Sequence, residues 1–332
     1  MQKLSVLLLL FIISFLGCSE NDSFSERVQI PDFNFPKTVV FKQNLSEYDI
    51  FKDTPSNLIP SDGFHLLELS SVLFTDYAYK QRLVKVPEGQ SISIGEENSM
   101  NFPDGTILTK TFYYYNDERD TSLGKRVLET RLLIKAKDTW NVATYIWNDE
   151  QTDAKLDLEG KDTDVTWINK KGSTVSTNYH IPNENECITC HQSNSSMTPI
   201  GTKLRNLNRD IVRDGVSLNL LTHLQNVGVL NSIQPAEAPS IVDYNDLSES
   251  LDNRARAYID MNCAHCHNPG AWEESAKKDF DFSYEVSIRE TGILSEKDRI
   301  KRLVMNQEMP FIGTTILDQE GVNLMIEFID NQ

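Results

Sequence analysis

Two short segments of this sequence repeat one arrangement of cysteine and histidine. The first comprises Cys187, Cys190 and His191, and the second, 76 positions later, comprises Cys263, Cys266 and His267. Each segment is C-x-x-C-H, the spacing of c-type haem attachment. Two thiols three positions apart lie on one turn of chain, where each can add across one vinyl group of haem, and the next imidazole can bind the iron. The pattern therefore predicts two covalently attached haems c, with His191 and His267 as iron ligands.

Other uses of paired cysteines fit part of this pattern. A four-cysteine zinc site also uses two C-x-x-C pairs, but usually with about 15–20 residues between them. Here 72 residues intervene, and zinc leaves unexplained the histidine that follows each pair. Two short-range disulfides are possible in an exported chain. A thioredoxin-like redox pair expects a βαβ setting, which the sequence does not indicate. Haem attachment is therefore the favoured interpretation.

The N-terminus predicts export. Lys3 precedes an apolar run over residues 4–16, which is too short to span a bilayer comfortably and is typical of a secretory signal. The alternative is an N-terminal membrane anchor. The segment F-L-G-C that ends at Cys18 resembles a bacterial lipoprotein cleavage box, which implies lipidation of Cys18. We therefore expect an exported lipoprotein, periplasmic or associated with the outer membrane, that reaches the membrane through a lipid anchor.

Composition and charge narrow the class of partners. The chain has 332 residues, with 32 Lys+Arg against 49 Asp+Glu, and a formal net charge of −17 at pH 7. Because phosphate binding needs a basic footprint, no nucleic-acid partner is expected. The 39% hydrophobic content is that of a globular protein. An acidic surface favours encounters with redox partner proteins that present a basic docking face.

The first half of the chain is patterned as β structure. Residues 106–115 are rich in β-branched and aromatic side chains, and residues 127–135 alternate, with Glu129 and Arg131 on the polar face. A period of two with one polar face predicts a half-buried strand. Residues 116–124 have the composition of a hairpin connection. These features predict an antiparallel, sandwich-like β domain.

The second half of the chain shows helical spacing. Periodicity predicts helices over residues 204–212 and 218–227, a helix capped by Ser248, and a last helix that begins at Asp318. Residues 295–298 resemble a capping box for one more helix. This half is therefore expected to be helical and rich in loops.

The surroundings of the second motif resemble a small class I cytochrome c domain. A helix over about residues 249–262 leads into Cys263, Met309 lies 42 residues after His267, and an amphipathic helix ends the chain. The resemblance implies that His267 is the proximal ligand and Met309 the distal one. Met305, about one helical turn earlier, is the rival. A soft thioether ligand favours ferrous iron and raises the potential.

The distal ligand of the first haem stays open. Met197, His223 and His180 are the candidates, and an open position is a further possibility. An open position would permit peroxide chemistry or small-molecule binding, because distal access decides between ligand binding and electron transfer. His265, between the two cysteines of the second motif, is expected at the surface.

Seven further stretches carry a wider resemblance. They are L-F-T-D-Y-A-Y-K-Q-R (73–82), F-P-D-G-T (102–106), E-T-R-L (129–132), W-N-D-E-Q-T-D-A (147–154), P-I-G (199–201), L-N-R (207–209) and R-A-R-A-Y (254–258). Together with the two motifs they resemble a family of exported two-haem c-type cytochromes of Gram-negative bacteria. The resemblance covers about residues 45–329 and implies two covalent haems and electron transfer, but it identifies no substrate.

The expected class is therefore α+β, with an N-terminal antiparallel β domain followed by a mostly α-helical, cytochrome c-like two-haem region. The expected divisions are a signal peptide (1–17), a lipidated tether (18–37), a β domain (38–175), a first haem segment (176–247) and a second haem domain (248–332). The leading functional hypothesis is an electron carrier rather than a catalyst. One alternative is a peroxidase- or oxidase-like di-haem enzyme with an open first haem. The other is a binding module whose cysteines hold zinc or form disulfides.

Overall fold

The computed structural model describes residues 30, 33, 35–272 and 280–332, so the predicted signal peptide and Cys18 lie outside the described residues. The described part is a mixed fold with a large antiparallel sheet and six α-helices. The strands are β1 (His65–Leu66), β2 (Tyr79–Lys85), β3 (Ser93–Ile94), β4 (Met100–Asn101), β5 (Ile107–Tyr115), β6 (Lys125–Ala136), β7 (Thr139–Trp147), β8 (Ala154–Asp157), β9 (Lys161–Ile168), β10 (Thr174–Ile181), β11 (Gln192–Ser193), β12 (Ser196–Met197), β13 (Asp210–Arg213) and β14 (Val216–Asn219). The helices are α1 (Glu184–His191), α2 (Leu204–Leu207), α3 (Leu220–Asn226), α4 (Leu251–Asn262), α5 (Lys297–Met305) and α6 (Gln319–Asp330).

The large sheet has the order β1-β2-β5-β6-β7-β8, and every pair in it is antiparallel. The strands expected over 106–115 and 127–135 are β5 and β6, so the antiparallel β region is confirmed. The connection between them contains a single 3-10 turn at Thr121–Leu123. β9 and β10 form a separate antiparallel hairpin. Val165, Trp167 and Tyr179 of this hairpin pack with Phe112 and Tyr114 of β5, so the hairpin forms a second layer over one end of the sheet.

The polar face of β6 differs from the expectation of a half-buried strand. Glu129 is 0% exposed, and the side chain of Arg131 is only 15% exposed. The two groups neutralise each other at an N–O distance of 2.6 Å, and the hydroxyl of Tyr179 also donates to Glu129 at 2.7 Å. The expectation failed because polar alternation marks a solvent-facing side only where no second layer of charge partners covers it.

One hydrophobic core joins the sheet to the chain that carries the first motif. It contains sheet residues such as Val84, Leu108 and Leu133, together with Ile188 of α1 and Leu221 of α3. Burial of these side chains against one another stabilises the sheet and the first motif as a unit. The first motif is therefore positioned by the β region as much as by its own helix.

A second core belongs to the C-terminal part of the chain. Tyr258 and Ile259 of α4 pack with Val322 and Met325 of α6. Gly321 allows the close approach of the two helices, because a Cβ at this position would lie 2.1 Å from the ring of Tyr258. Two helices thus pack against each other beside the second motif.

Of the three helix starts predicted from capping residues, one is confirmed and two differ from the prediction. Asp318 caps α6 as expected, and its carboxylate accepts from the N–H of Gly321 at 3.1 Å. The cap of α4 is Ser250 rather than Ser248, whose side chain bonds Asp246 instead. The capping box expected over 295–298 is wrong, since α5 begins after Glu296 and no side chain caps it.

The helices expected over 204–212 and 218–227 are each only partly formed. α2 ends at Leu207 and α3 begins at Leu220, and between them β13 pairs with β14. The turn of this hairpin is Asp214-Gly215, and both residues have positive φ, 50° and 79°. Asp-Gly in this conformation matches the right-handed twist of a two-residue hairpin, so local turn chemistry outweighed the helical spacing. No described helix is long and apolar enough to cross a bilayer.

Candidate functional site

The first motif lies on α1, a helix with a complete N-terminal cap. The side chain of Asn183 accepts from the N–H of Glu186 at 3.0 Å, and the carboxylate of Glu186 accepts from the N–H of Asn183 at 2.8 Å. This reciprocal capping box satisfies two backbone donors at the helix start. It begins the helix three residues before Cys187, so that both thiols and His191 follow within two turns.

His191 is held in the state that an iron ligand requires. Its Nδ1 lies 2.8 Å from the carbonyl oxygen of Thr198, which makes Nδ1 the protonated nitrogen and leaves Nε2 with a free lone pair. Burial lowers the pKa of His191 to about 3, so the ring is neutral at physiological pH. A neutral imidazole of fixed tautomer is a good metal ligand.

The second motif follows the end of α4. The N–H of Cys263 closes the helix on the carbonyl of Ile259 at 2.9 Å, and the N–H of His267 bonds the carbonyl of Cys263 at 2.9 Å. The ring centroids of Phe280 and Phe282 lie 5.7 and 5.0 Å, respectively, from the ring centroid of His267. Burial raises the pKa of the Cys263 thiol to about 12. The second motif therefore lies in an apolar, aromatic environment.

Each motif lines its own cavity. The first cavity, of about 130 Å³, is lined by Cys187, Cys190 and His191, and on another side by Lys110 and Arg131 of the sheet. The second cavity, of about 290 Å³, is larger and mostly apolar. Its lining includes Cys263, Cys266, His267, Trp272, Phe280, Phe282, Ile293, Leu303, Val304, Phe311, Met325 and Ile329. The two cavities share Cys190, His265 and Met309 among their lining residues, so they adjoin.

The two motifs, 76 positions apart in sequence, meet where the cavities adjoin. Potential ligand atoms of Cys190, His265 and Cys266 all lie within 4.8 Å of one another. Burial and the neighbouring thiol raise the pKa of Cys190 well above its usual value, with the hydrogen-bonding contact to Cys266 the largest cause. The four described cysteines are all free thiols. His265 is half-buried and faces both cavities, so the expectation of a surface histidine is wrong.

Met309 and Met305 have different surroundings. Met309 is half-buried and lines both cavities, while Met305 is 59% exposed at the end of α5. The chain turns after α5 through a bond from the N–H of Met309 to the carbonyl of Leu303, 3.2 Å long. Only Met309 of this pair is therefore placed where its thioether could reach a group in either cavity.

The three residues considered as distal ligand of the first site are not among the residues that line the first cavity. Met197, on β12, is 4% exposed and packs in the core that joins sheet and α1. His223, on α3, is near Arg213, and burial lowers its pKa. Both ring nitrogens of His180 are occupied, by Asp162 at 2.6 Å and by Glu186 at 3.0 Å. Among the described residues that line the first cavity, none of the three appears.

The cations of the first cavity were not predicted from the sequence. Lys110 and Arg131 lie opposite each other on β5 and β6, and the next pair along is Lys110 with Arg82 of β2. The only sequence signal was the presence of at least one basic residue in each of three strands, and the register that aligns these residues depends on sheet pairing.

Comparison with known proteins found no match: no family model, no curated protein and no solved structure matches this chain.

Proposed function

We propose that this protein is an exported, lipid-anchored di-haem c-type cytochrome that mediates electron transfer. The observation that carries the proposal is the pairing of each C-x-x-C-H motif with a cavity, and the contact of the two cavities at Cys190, His265 and Met309. Two redox groups in such adjoining cavities would exchange electrons over a short distance.

The residues present fit haem c in their donor chemistry. Each site combines two free thiols with one imidazole, and at the first site the carbonyl of Thr198 fixes His191 with Nε2 available. His191 and His267 would bind the iron, and the paired cysteines would form the thioethers. When bound, haem supplies reversible one-electron chemistry, while the protein supplies ligands, burial and the polarity that tune its potential.

The second site supports the finer proposal of a class I cytochrome c-like domain. α4 leads into Cys263 and packs against the C-terminal helix α6 through Tyr258 and Gly321. Met309, in the loop between α5 and α6, lines the second cavity together with His267. This arrangement favours Met309 as the second axial ligand of that iron.

One alternative function is supported by the thiol–imidazole cluster. Three potential ligands within 4.8 Å of one another, Cys190, His265 and Cys266, are suited to zinc, which takes thiolate and imidazole ligands. A zinc site would make the protein a binding module rather than a redox carrier. Cys187 and Cys263 are not members of this cluster, so the two functions require different cysteines.

A second alternative is a di-haem redox enzyme. Because Met197, His223 and His180 do not line the first cavity, a haem there would have an open position unless Met309, His265 or Lys110 fills it. An open position would permit binding of a small oxidant such as peroxide. Spin state at the first iron separates this function from simple electron transfer, because a six-coordinate haem with two protein ligands is low-spin.

The test is a count of covalent haem and zinc in matched variants. The chain is produced in the periplasm with the c-type maturation machinery, and haem is measured by pyridine haemochrome against protein concentration. We expect two haems per chain in wild type and in His265→Asn. We expect one haem per chain in Cys187→Ala and in Cys263→Ala. If instead the folded, exported chain holds no haem, binds zinc, and loses zinc only in His265→Asn, the cytochrome proposal is wrong.

A further inference from the structure

Four cations lie together on one face of the large sheet, in a chain whose net charge is −17. Lys80 and Arg82 come from β2, Lys110 from β5 and Arg131 from β6. Arg82 pairs with Lys110, which in turn pairs with Arg131, so the three are direct cross-strand neighbours. Like charges directly opposite each other are destabilising unless something compensates them. A group of counter-charges is therefore expected nearby.

The acidic residues of this region compensate only part of that charge. Glu129 is bonded by both Nε and Nη2 of Arg131, at 2.7 and 2.6 Å, and by Tyr179, so its oxygens are committed. Asp76, near Lys80, is held by the backbone N–H and the hydroxyl of Thr315 at 2.9 and 2.7 Å. Glu129 thus balances Arg131, and Asp76 and Asp318 both attract Lys80. Arg82 and Lys110 form no ion pair within the described residues.

Lys110 lacks an anionic partner within the described part of the chain. There, its ammonium makes neither an ion pair nor a side-chain hydrogen bond, and its contact is with the ring of Phe112, 4.9 Å from Nζ to centroid. The same ring is approached by Arg131, whose guanidinium carbon lies 4.4 Å from the centroid. Burial and the neighbouring cations lower the pKa of Lys110 well below its usual value. A partly buried ammonium in these surroundings is stabilised by an added anion.

This unpaired cation lies on the wall of the first cavity. Lys110 and Arg131 line the cavity from the sheet side, and Cys187, Cys190 and His191 line it from α1. A group attached to the two thiols and to His191 would therefore lie between the helix and these cations. Haem carries two carboxylates, the propionates, at the edge remote from its thioether-bearing substituents.

We propose that Lys110, with Arg131 beside it, binds the propionate carboxylates of the first haem. The inference rests on the proposed function, since it presumes haem at the first motif. It also assigns a purpose to the β region: the sheet supplies a positively charged wall to the first cavity. A cation near the haem edge disfavours the additional positive charge of ferric iron, so it raises the reduction potential of that haem.

The test compares Lys110→Gln with the charge-conserving Lys110→Arg in the haem-loaded protein. We expect two haems in both variants, with a lower potential for one haem in Lys110→Gln only, by spectroelectrochemical titration. The same haem should gain a pH-dependent potential, since a propionate without its cation titrates nearer neutral pH. Lys85→Gln is the matched control, because Lys85 is on the same strand as Arg82 but lies over Phe64, 4.9 Å from its ring centroid.

Each other outcome has a defined meaning. A wild-type chain without haem contradicts the proposed function itself, whereas two haems with unchanged potentials in Lys110→Gln contradict only the propionate assignment. Loss of one haem in Lys110→Gln but not in Lys110→Arg supports a charge role, and its loss in both contradicts it. A change from low to high spin in Lys110→Gln would make Lys110 an iron ligand instead. If sulfate shifts the potential of one haem in wild type but not in Lys110→Gln, the cations bind a diffusible anion rather than a propionate.

Discussion

Met309 is placed to influence the chemistry of both cavities. It is half-buried, lines each cavity, and follows α5 by only four residues, whereas Met305 is largely exposed. A thioether ligand stabilises ferrous iron relative to ferric iron because sulfur is a soft donor. If Met309 binds the iron of one proposed haem, the identity of this one side chain sets much of the potential of that haem.

Met309→Ala should lower the potential of one haem and leave the other nearly unchanged. The loss of a thioether donor removes the preference for ferrous iron, and the potentials are measured by redox titration of the two-haem protein. Met305→Ala is the control and should alter neither potential. If both potentials stay as in wild type after Met309→Ala, Met309 is not an axial ligand.

At the scale of elements, α1 connects the first motif to the β region. The helix begins at the Asn183–Glu186 capping box, and Glu186 also bonds His180 of β10 at 3.0 Å. Ile188 packs into the core that contains the sheet residues. A short helix such as this is not stable alone, so its cap and its tertiary contacts determine whether the motif is helical.

Asn183→Ala should destabilise the folded chain by about 1 kcal/mol, the usual cost of removing an N-cap side chain. The substitution removes the side-chain oxygen of Asn183, which accepts a hydrogen bond from the N–H of Glu186 at the helix start. Urea unfolding followed by circular dichroism measures the change. Asn183→Ser, which retains a capping oxygen, should recover most of it. Equal stability of the alanine variant and wild type would contradict a structural role for this cap.

The contacts of His180 should give the stability of this region a dependence on pH. Bonding to Glu186, opposed by burial and aided by Asp162, raises the pKa of His180 to about 9 in the folded chain, against about 6.5 when unfolded. A raised folded pKa stabilises the protein fully below about pH 6.5, and that contribution is lost as pH rises through 9. Since His180 is partly exposed, the contribution is on the order of 1 kcal/mol.

The measurement is the free energy of unfolding of wild type and His180→Gln from pH 6 to pH 10. The difference between the two should be largest at pH 6 and should shrink as the pH approaches 10. His223→Gln is the control. Because burial lowers the pKa of His223, any pH dependence caused by this residue occurs at lower pH than that expected for His180. A difference that is constant from pH 6 to pH 10 would show that folding does not raise the pKa of His180.

At the scale of the whole molecule, charge is distributed unevenly. The net charge is −17, yet Lys80, Arg82, Lys110 and Arg131 collect on the inner face of the sheet. The chain as a whole carries 49 acidic against 32 basic side chains, which gives it a negative field. Such a field attracts basic partners over long distances and is screened by salt.

Electron transfer to a basic redox protein should therefore slow as sodium chloride is raised from 10 to 300 mM. Screening shortens the Debye length from about 30 Å at 10 mM to less than 10 Å, which removes the long-range attraction. Stopped-flow oxidation of the reduced protein measures the rate. An anionic oxidant such as hexacyanoferrate(III) should show the opposite dependence. Rates that are independent of salt with both reagents would contradict an acidic docking surface.

Several features could be predicted from the sequence because they depend on neighbouring residues. β5 and β6 follow from their β-branched and aromatic content, and the start of α6 follows from the capping carboxylate of Asp318. The six residues of the two motifs were identified by spacing alone, and they line two cavities. Local rules failed where a stronger local signal competed, as at the Asp214-Gly215 turn that replaces the end of an expected helix.

Long-range pairing decided the rest. Only the register of β2, β5 and β6 brings Arg82, Lys110 and Arg131 side by side, because residues far apart in sequence become neighbours across a sheet. The contact of Cys190 with His265 and Cys266 likewise depends on the packing of α1 against the end of α4. The sequence by itself determined which residues are the candidates for the chemistry. The tertiary structure determined that the two motifs adjoin and that a buried row of cations faces the first, since both arrangements come from contacts between distant segments rather than from the spacing of residues along the chain.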